Sequence, residues 1–226
     1  MTAGVAALLV GGLVAGCGSS SSKSSSPSSA PSSAASSDSA SGSGPTAADL
    51  SGVLLSADEV GTVAQGTFTA TPSKDDATTT KSGCTALDDF TVAAKGSEKA
   101  KAGNDYNTSD QSQTASEELD YVPAKAEPLF TTLKNALSDC KGFSAGGTQL
   151  TLTTLPDPKI DGSDDTVAAQ ASGTVQGQTI TLDISLARFG DTVLSVTYGG
   201  GVEKTNADTV TQSLLEKAAT KAKGVL

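Results

Sequence analysis

From residue 49 onward the apolar residues follow helical spacing, then strand spacing, then helical spacing again. Ser56-Ala57-Asp58-Glu59 has the form of a capping box, in which the first and last side chains satisfy each other's backbone donors. It predicts a short helix to about Gln65, with Val60, Val63 and Ala64 on one face. A strand is expected near Thr67–Thr71, followed by a Gly-, Thr- and Asp-rich loop to Cys84. Residues 97–113 are polar and carry no assignable period, and Glu117–Val122 reads as a strand ending at Pro123. Leu129, Leu133, Ala136, Leu137 and Cys140 then recur at i, i+4, i+7, i+8 and i+11, one apolar stripe of a helix over 124–139. Pro128 either kinks this helix or marks its first turn.

Past Gly146-Gly147 the period drops to two. Leu150 and Leu152 alternate with threonines, Val167, Ala169, Ala171, Gly173 and Val175 alternate with polar partners, and Ile180, Leu182, Ile184 and Leu186 do the same. Val193 to Tyr198 is a mixed β-rich run. Turn residues at Gln176-Gly177 and Gly190-Asp191 make these strands successive hairpins of an antiparallel meander with one buried face. A last helix is expected from about Asn206, with Val210, Leu214, Ala218, Ala222 and Val225 on its stripe. The fold class is therefore α+β: an antiparallel β-sheet with helices packed on one face, preceded by a disordered tether.

The tether follows from composition. Residues 18 to about 47 are Ser, Ala, Gly and Pro with almost no hydrophobic side chains, too few to offset the entropy of ordering. A flexible run of about 30 residues spans ~30 Å root-mean-square. Ahead of it, Val5–Leu13 is an apolar run of signal-peptide length, shorter than the ~20 residues that cross a bilayer. The run ends in Leu13-Val14-Ala15-Gly16-Cys17, which has the form of a bacterial lipobox: small residues before a cysteine whose thiol takes the lipid. Met1-Thr2-Ala3-Gly4 lacks the Lys or Arg that normally precedes such a run, which we read as a start placed downstream of the natural one. The expected organisation is a signal peptide over 1–16, lipidated Cys17 with a linker over 17–48, and one globular domain over 49–226. The expected location is the extracytoplasmic face of the cell membrane.

Charge and side-chain inventory then exclude whole classes of function. The formal net charge is −10 and Arg188 is the only arginine, so no basic surface exists to neutralise nucleic-acid phosphates. The same acidity disfavours electrostatic docking on anionic lipid and leaves the Cys17 anchor as the membrane contact. There is no histidine, so the G-x-S-x-G run Gly142-Phe143-Ser144-Ala145-Gly146 has no base for a serine nucleophile. It also follows a helix and precedes a strand, the reverse of a nucleophile elbow, and reads as a helix stop. Asp157, Asp161, Asp164 and Asp165 offer carboxylates for calcium, but their spacing matches no EF-hand and a solvated loop is the simpler reading. Glu117-Glu118 is read as surface, its two side chains on opposite strand faces, and Asn107-Thr108-Ser109 fits a glycosylation sequon in an unsuited context. No enzyme activity, cofactor or metal is expected.

With Cys17 assigned to lipid, Cys84 and Cys140 form an even pair in an oxidising compartment. Two cysteines without histidine cannot complete a zinc site, and there is no C-x-x-C. A disulfide between them would close a loop of about 57 residues and stabilise the fold by ~4 kcal/mol in the chain-entropy model.

The domain resembles actinobacterial lipoproteins with a PknH-like extracellular sensor domain. The resemblance rests on Leu54-Leu55-Ser56-Ala57-Asp58-Glu59-Val60 after a tether and on Cys84. It continues in the helix ending Asp139-Cys140-Lys141-Gly142-Phe143 and in Arg188-Phe189-Gly190-Asp191-Thr192-Val193 before the last helix. It implies an antiparallel sheet with helices around a cleft that binds an unidentified ligand. It also implies that Arg188 pairs with a nearby carboxylate. This chain has cysteines for one disulfide where the kinase's sensor domain has two, and no kinase domain accompanies it. Two functions fit: a non-enzymatic, lipid-anchored ligand-binding or sensor domain taking an unidentified small molecule or protein, or an envelope scaffold lipoprotein that binds a protein partner. A deep cleft favours the first and a flat exposed apolar patch the second.

Overall fold

The computed structural model describes residues 44–73, 82–145, 148–175, 178–200 and 207–226. Cys17, the apolar run before it and the turn at Gln176-Gly177 lie outside these. Eight strands form one sheet: β1 (Phe68–Pro72), β2 (Ala100–Thr108), β3 (Gln113–Tyr121), β4 (Gly142–Ala145), β5 (Thr148–Leu155), β6 (Asp165–Val175), β7 (Gln178–Phe189) and β8 (Thr192–Gly200). Their spatial order is β1-β2-β3-β8-β7-β6-β5-β4, and every neighbouring pair is antiparallel. Two meanders, one of three strands and one of five, thus meet along β3 and β8. The described helices are α1 (Ala47–Gly52), α2 (Ala57–Ala64), α3 (Thr85–Ala94), α4 (Ala126–Asp139) and α5 (Ala207–Ala222).

The α+β class and the antiparallel sheet are as the alternation predicts, but the helices divide between the two faces instead of packing on one. Leu194, Val196 and Tyr198 of β8 and Ala187 of β7 meet Leu214, Leu215 and Ala218 of α5, together with Leu50, Leu55 and Val60 from the α1–α2 region. The neighbouring positions Ile184 and Leu186 point the other way and pack with Val167 and Ala169 of β6 against Phe130, Leu133 and Leu137 of α4. Successive strand residues face opposite sides, so two separate cores lie on opposite faces of one sheet. The alternation hid this because the second buried row is made of small or polar residues. In β6 and β7, Ala168, Ser185 and Ala187 are all buried yet do not read as a core stripe.

Local signals explain the helix ends. Ser56 and Glu59 form the expected box, with Glu59 N–H donating to Ser56 Oγ at 3.2 Å and Ser56 N–H to Glu59 Oε2 at 2.8 Å. A second box at Thr46 and Asp49 starts α1, so the ordered chain reaches back over residues assigned by composition to the linker. Pro128 sits in the first turn of α4, where its missing N–H costs nothing. Ser144 lies inside β4, so the G-x-S-x-G run forms no nucleophile elbow.

The expected disulfide joins Cys84 to Cys140, with their Cα atoms 5.9 Å apart. Cys84 is the N-cap of α3 and Cys140 the C-cap of α4. Leu87 and Phe90 of α3 pack into the α4 core, making α3 an outer layer pinned at its first residue. Among the described residues no helix is long and apolar enough to cross a membrane. Replacing Cys84 and Cys140 together by serine is expected to lower the unfolding free energy by about 3–4 kcal/mol, measured by urea denaturation. The same change should raise amide exchange in α3 before the rest of the sheet.

Candidate functional site

At one end of the sheet the chain surrounds a cleft of about 740 Å³. Its floor is apolar: Tyr121 ends β3, Phe189 ends β7, and Ile160 comes from the β5–β6 connection. Ala219, Val225 and Leu226 from the end of α5 and the residues after it form one wall. The tight turn Gly190-Asp191 forms another, and Gly190 supplies the positive φ of 56° that the turn requires.

The charged rim is largely committed to holding that shape. Arg188 Nη1 donates to Asp164 Oδ2 at 3.1 Å and to the Gly190 carbonyl at 3.1 Å, while Gly190 N–H donates to the same Asp164 oxygen at 2.6 Å. Arg188 thus pairs with a carboxylate, as the resemblance implies. Asp191 accepts from Ala124 N–H at 3.0 Å, and Lys223 reaches Asp161 at 3.4 Å. The acidic run read as a solvated loop is therefore spread over separate ion pairs. Asp157 and Asp165 instead grip Lys134 of α4 at 2.8 and 2.9 Å, which holds the Lys134 ammonium above its ordinary pKa. Among the described residues no group of acids, cysteines or histidines is placed to hold a metal.

Glu117 and Glu118 overturn the surface reading. β3 lies between β2 and β8 with both faces covered, so Glu117 is 1 % and Glu118 8 % exposed, on opposite faces as their adjacency requires. Glu118 pairs with Lys101 at 2.9 Å. Glu117 enters the core beside α2 and α5. Its Oε2 accepts from Leu55 N–H at 2.7 Å and lies 2.9 Å from the Tyr106 hydroxyl, which is also 2.8 Å from the Leu55 carbonyl. Nearby, Lys221 of α5 donates to Glu59 at 2.6 Å and to the Leu54 carbonyl at 2.8 Å, and the Lys221 bond holds the Glu59 carboxyl down at about 2.

The proton count in this network is informative. Tyr106 has one hydroxyl proton and two acceptors in reach, so an ionised Glu117 leaves one of those contacts without a hydrogen. A protonated Glu117 donates to the tyrosine oxygen and frees Tyr106 to donate to Leu55. Burying a carboxylate costs several kcal/mol, and two hydrogen bonds to it return only about 1.5–3 kcal/mol each. Burial accordingly pushes Glu117 up to about 7 against the bonds from Leu55 and Tyr106.

The fold has a solved counterpart. The crystal structure of the extracellular domain of PknH from Mycobacterium tuberculosis superposes with a TM-score of 0.57, covering 79 % of this chain and 98 % of that domain at 15 % identity. An ortholog of Rv0999 from Mycobacterium smegmatis overlaps more loosely, at a TM-score of 0.37, 17 % identity and 72 % and 95 % coverage, too loose to support an argument. No family model matches the chain, and no curated protein matches it in sequence. The likeness establishes the architecture that the sequence motifs suggested.

Because the folded pKa of Glu117 lies above its ordinary 4.5, the native state holds a proton that the unfolded chain releases between pH 4.5 and 7. This group therefore favours folding at low pH, and its contribution is lost as pH rises through that window. Urea titrations at pH 5 and 8 are expected to show a drop on the order of 3 kcal/mol from this source, and Glu117→Gln should largely remove it.

Proposed function

We propose that this chain is a lipid-anchored, extracytoplasmic sensor domain that binds a small ligand in the cleft beside Tyr121 and Phe189 and performs no chemistry of its own. The observation carrying this reading is the cleft itself, a concavity of about 740 Å³ with an apolar floor and a charged rim. Pockets of that size and composition suit small molecules. Similarity to the extracellular domain of PknH supports the sensing role. The lipobox at Cys17 supports anchoring, and the disulfide fits an oxidising compartment. A scaffold role draws less support, because among the described residues Val92 is the one large hydrophobic side chain left strongly exposed.

Two measurements test the reading. Native mass spectrometry of the protein isolated from its own envelope is expected to show a retained small molecule. Thr220→Trp, which fills the cleft from an exposed position on α5, should lose that mass while keeping the wild-type circular dichroism; an empty wild-type protein would remove the ligand from the proposal. Cys17→Ala should move the protein from the detergent to the aqueous phase on phase partition, and an unchanged partition would remove the anchor.

A further inference from the structure

The opposite face of the sheet holds a second, smaller cavity, roofed by α3 and α4. Phe90, Leu129, Phe130, Leu133, Leu186 and Val193 make its lining apolar. Its charge is confined to one end. Lys101 and Asp120 stand directly opposite each other on the β2–β3 ladder and both line the slot, as does Glu98. Glu118, two residues from Asp120 on the same face, holds Lys101 at 2.9 Å. One ammonium thus stands among three carboxyl groups, of which Asp120 and Glu118 are hydrogen-bonded to each other. An entering anion meets surplus negative charge and a lysine already held by Glu118. A cation meets the reverse, in surroundings where charge is weakly screened.

We infer that this slot binds a small amphiphilic cation, a primary ammonium seated at Asp120 with a short unbranched apolar chain running between α3 and α4. Its interior of about 80 Å³ sets the length. At ~10–15 Å³ for each water-sized group there is room for about six, the chain of a hexylammonium ion. The site goes beyond the cleft and does not depend on it. Burial pushes the Asp120 carboxyl well above its ordinary range, and the Glu118 carboxyl adds to the effect. Lys101 and Glu98 are the other charged groups lining the slot, and the α3 and α4 residues there carry none. An ammonium at Asp120 favours the ionised carboxylate, so binding releases a proton and tightens as pH rises.

Isothermal titration of the full chain with hexylammonium, 1-hexanol and hexanoate reads this directly. Hexylammonium is expected to bind about ten-fold or more tighter than hexanol, the difference a charged hydrogen bond supplies, and hexanoate should not bind. Asp120→Asn keeps the shape of the slot and should bring the ammonium to about the affinity of the alcohol. Thr91→Trp should abolish binding of both, with its thermal transition showing that the fold is kept. Equal binding of ammonium and alcohol by the wild type, a selectivity unchanged in Asp120→Asn, or no binding of any of the three would overturn the inference. Thr220→Trp should leave the titration unaltered, which separates this site from the cleft.

Discussion

The antiparallel pairing of β3 with β8 is the contact on which the rest of the domain depends. It runs unbroken from Gln113↔Gly200 to Tyr121↔Thr192 and, among the described residues, is the one seam between the two meanders, joining strands that are far apart in sequence. Without it the α5 core would be divided, because it takes residues from both sides of the seam, whereas the α4 core lies wholly on the five-stranded side. Pairing this remote closes a long loop before any packing compensates. The seam is accordingly lined by fully buried residues, with Leu119 opposite Leu194 and Ala115 opposite the large Tyr198.

The seam also explains the buried acids. Both faces of β3 are covered near its middle, so Ser116, Glu117 and Glu118 are each drawn into a core or against another strand. Glu117 meets a tyrosine and a loop amide, Glu118 meets a lysine, and Ser116 meets Thr197 at 2.6 Å. Both cores are partly polar for this reason. A carboxyl that stays protonated costs far less there than an unpaired carboxylate, which reconciles an acidic chain with a well-packed interior.

Much of the architecture was legible because it rests on local chemistry. The Ser56–Glu59 box, the α4 stripe and the alternating runs of β5 to β8 each carry their own signal, and all appear within a few residues of their expected bounds. β2 was not legible: Ala100–Thr108 includes Gly, Asn and Asp, poor strand formers, and is held extended by partners on both sides. α3 was missed because it is short and draws its stability from α4 and the disulfide rather than from a strong stripe. For the site, Arg188 and the Gly190-Asp191 turn stood out in sequence. Ile160, Tyr121 and Leu226 did not, since only the end-to-end packing of the sheet brings such distant residues together.

The position of Cys84 has a mechanical consequence. The bridge fixes α3 at its first residue, whereas Ala94 and Ser97, which wall the smaller cavity, lie at the far end. The far end is held as well, because Ala94 and Ser97 are buried and the chain enters β2 at Ala100, with Lys99 N–H already donating to the Tyr121 carbonyl. A thiol reductant would therefore release one wall of that cavity from its start alone, leaving Leu87 and Phe90 packed against α4 and the far end tied to the sheet.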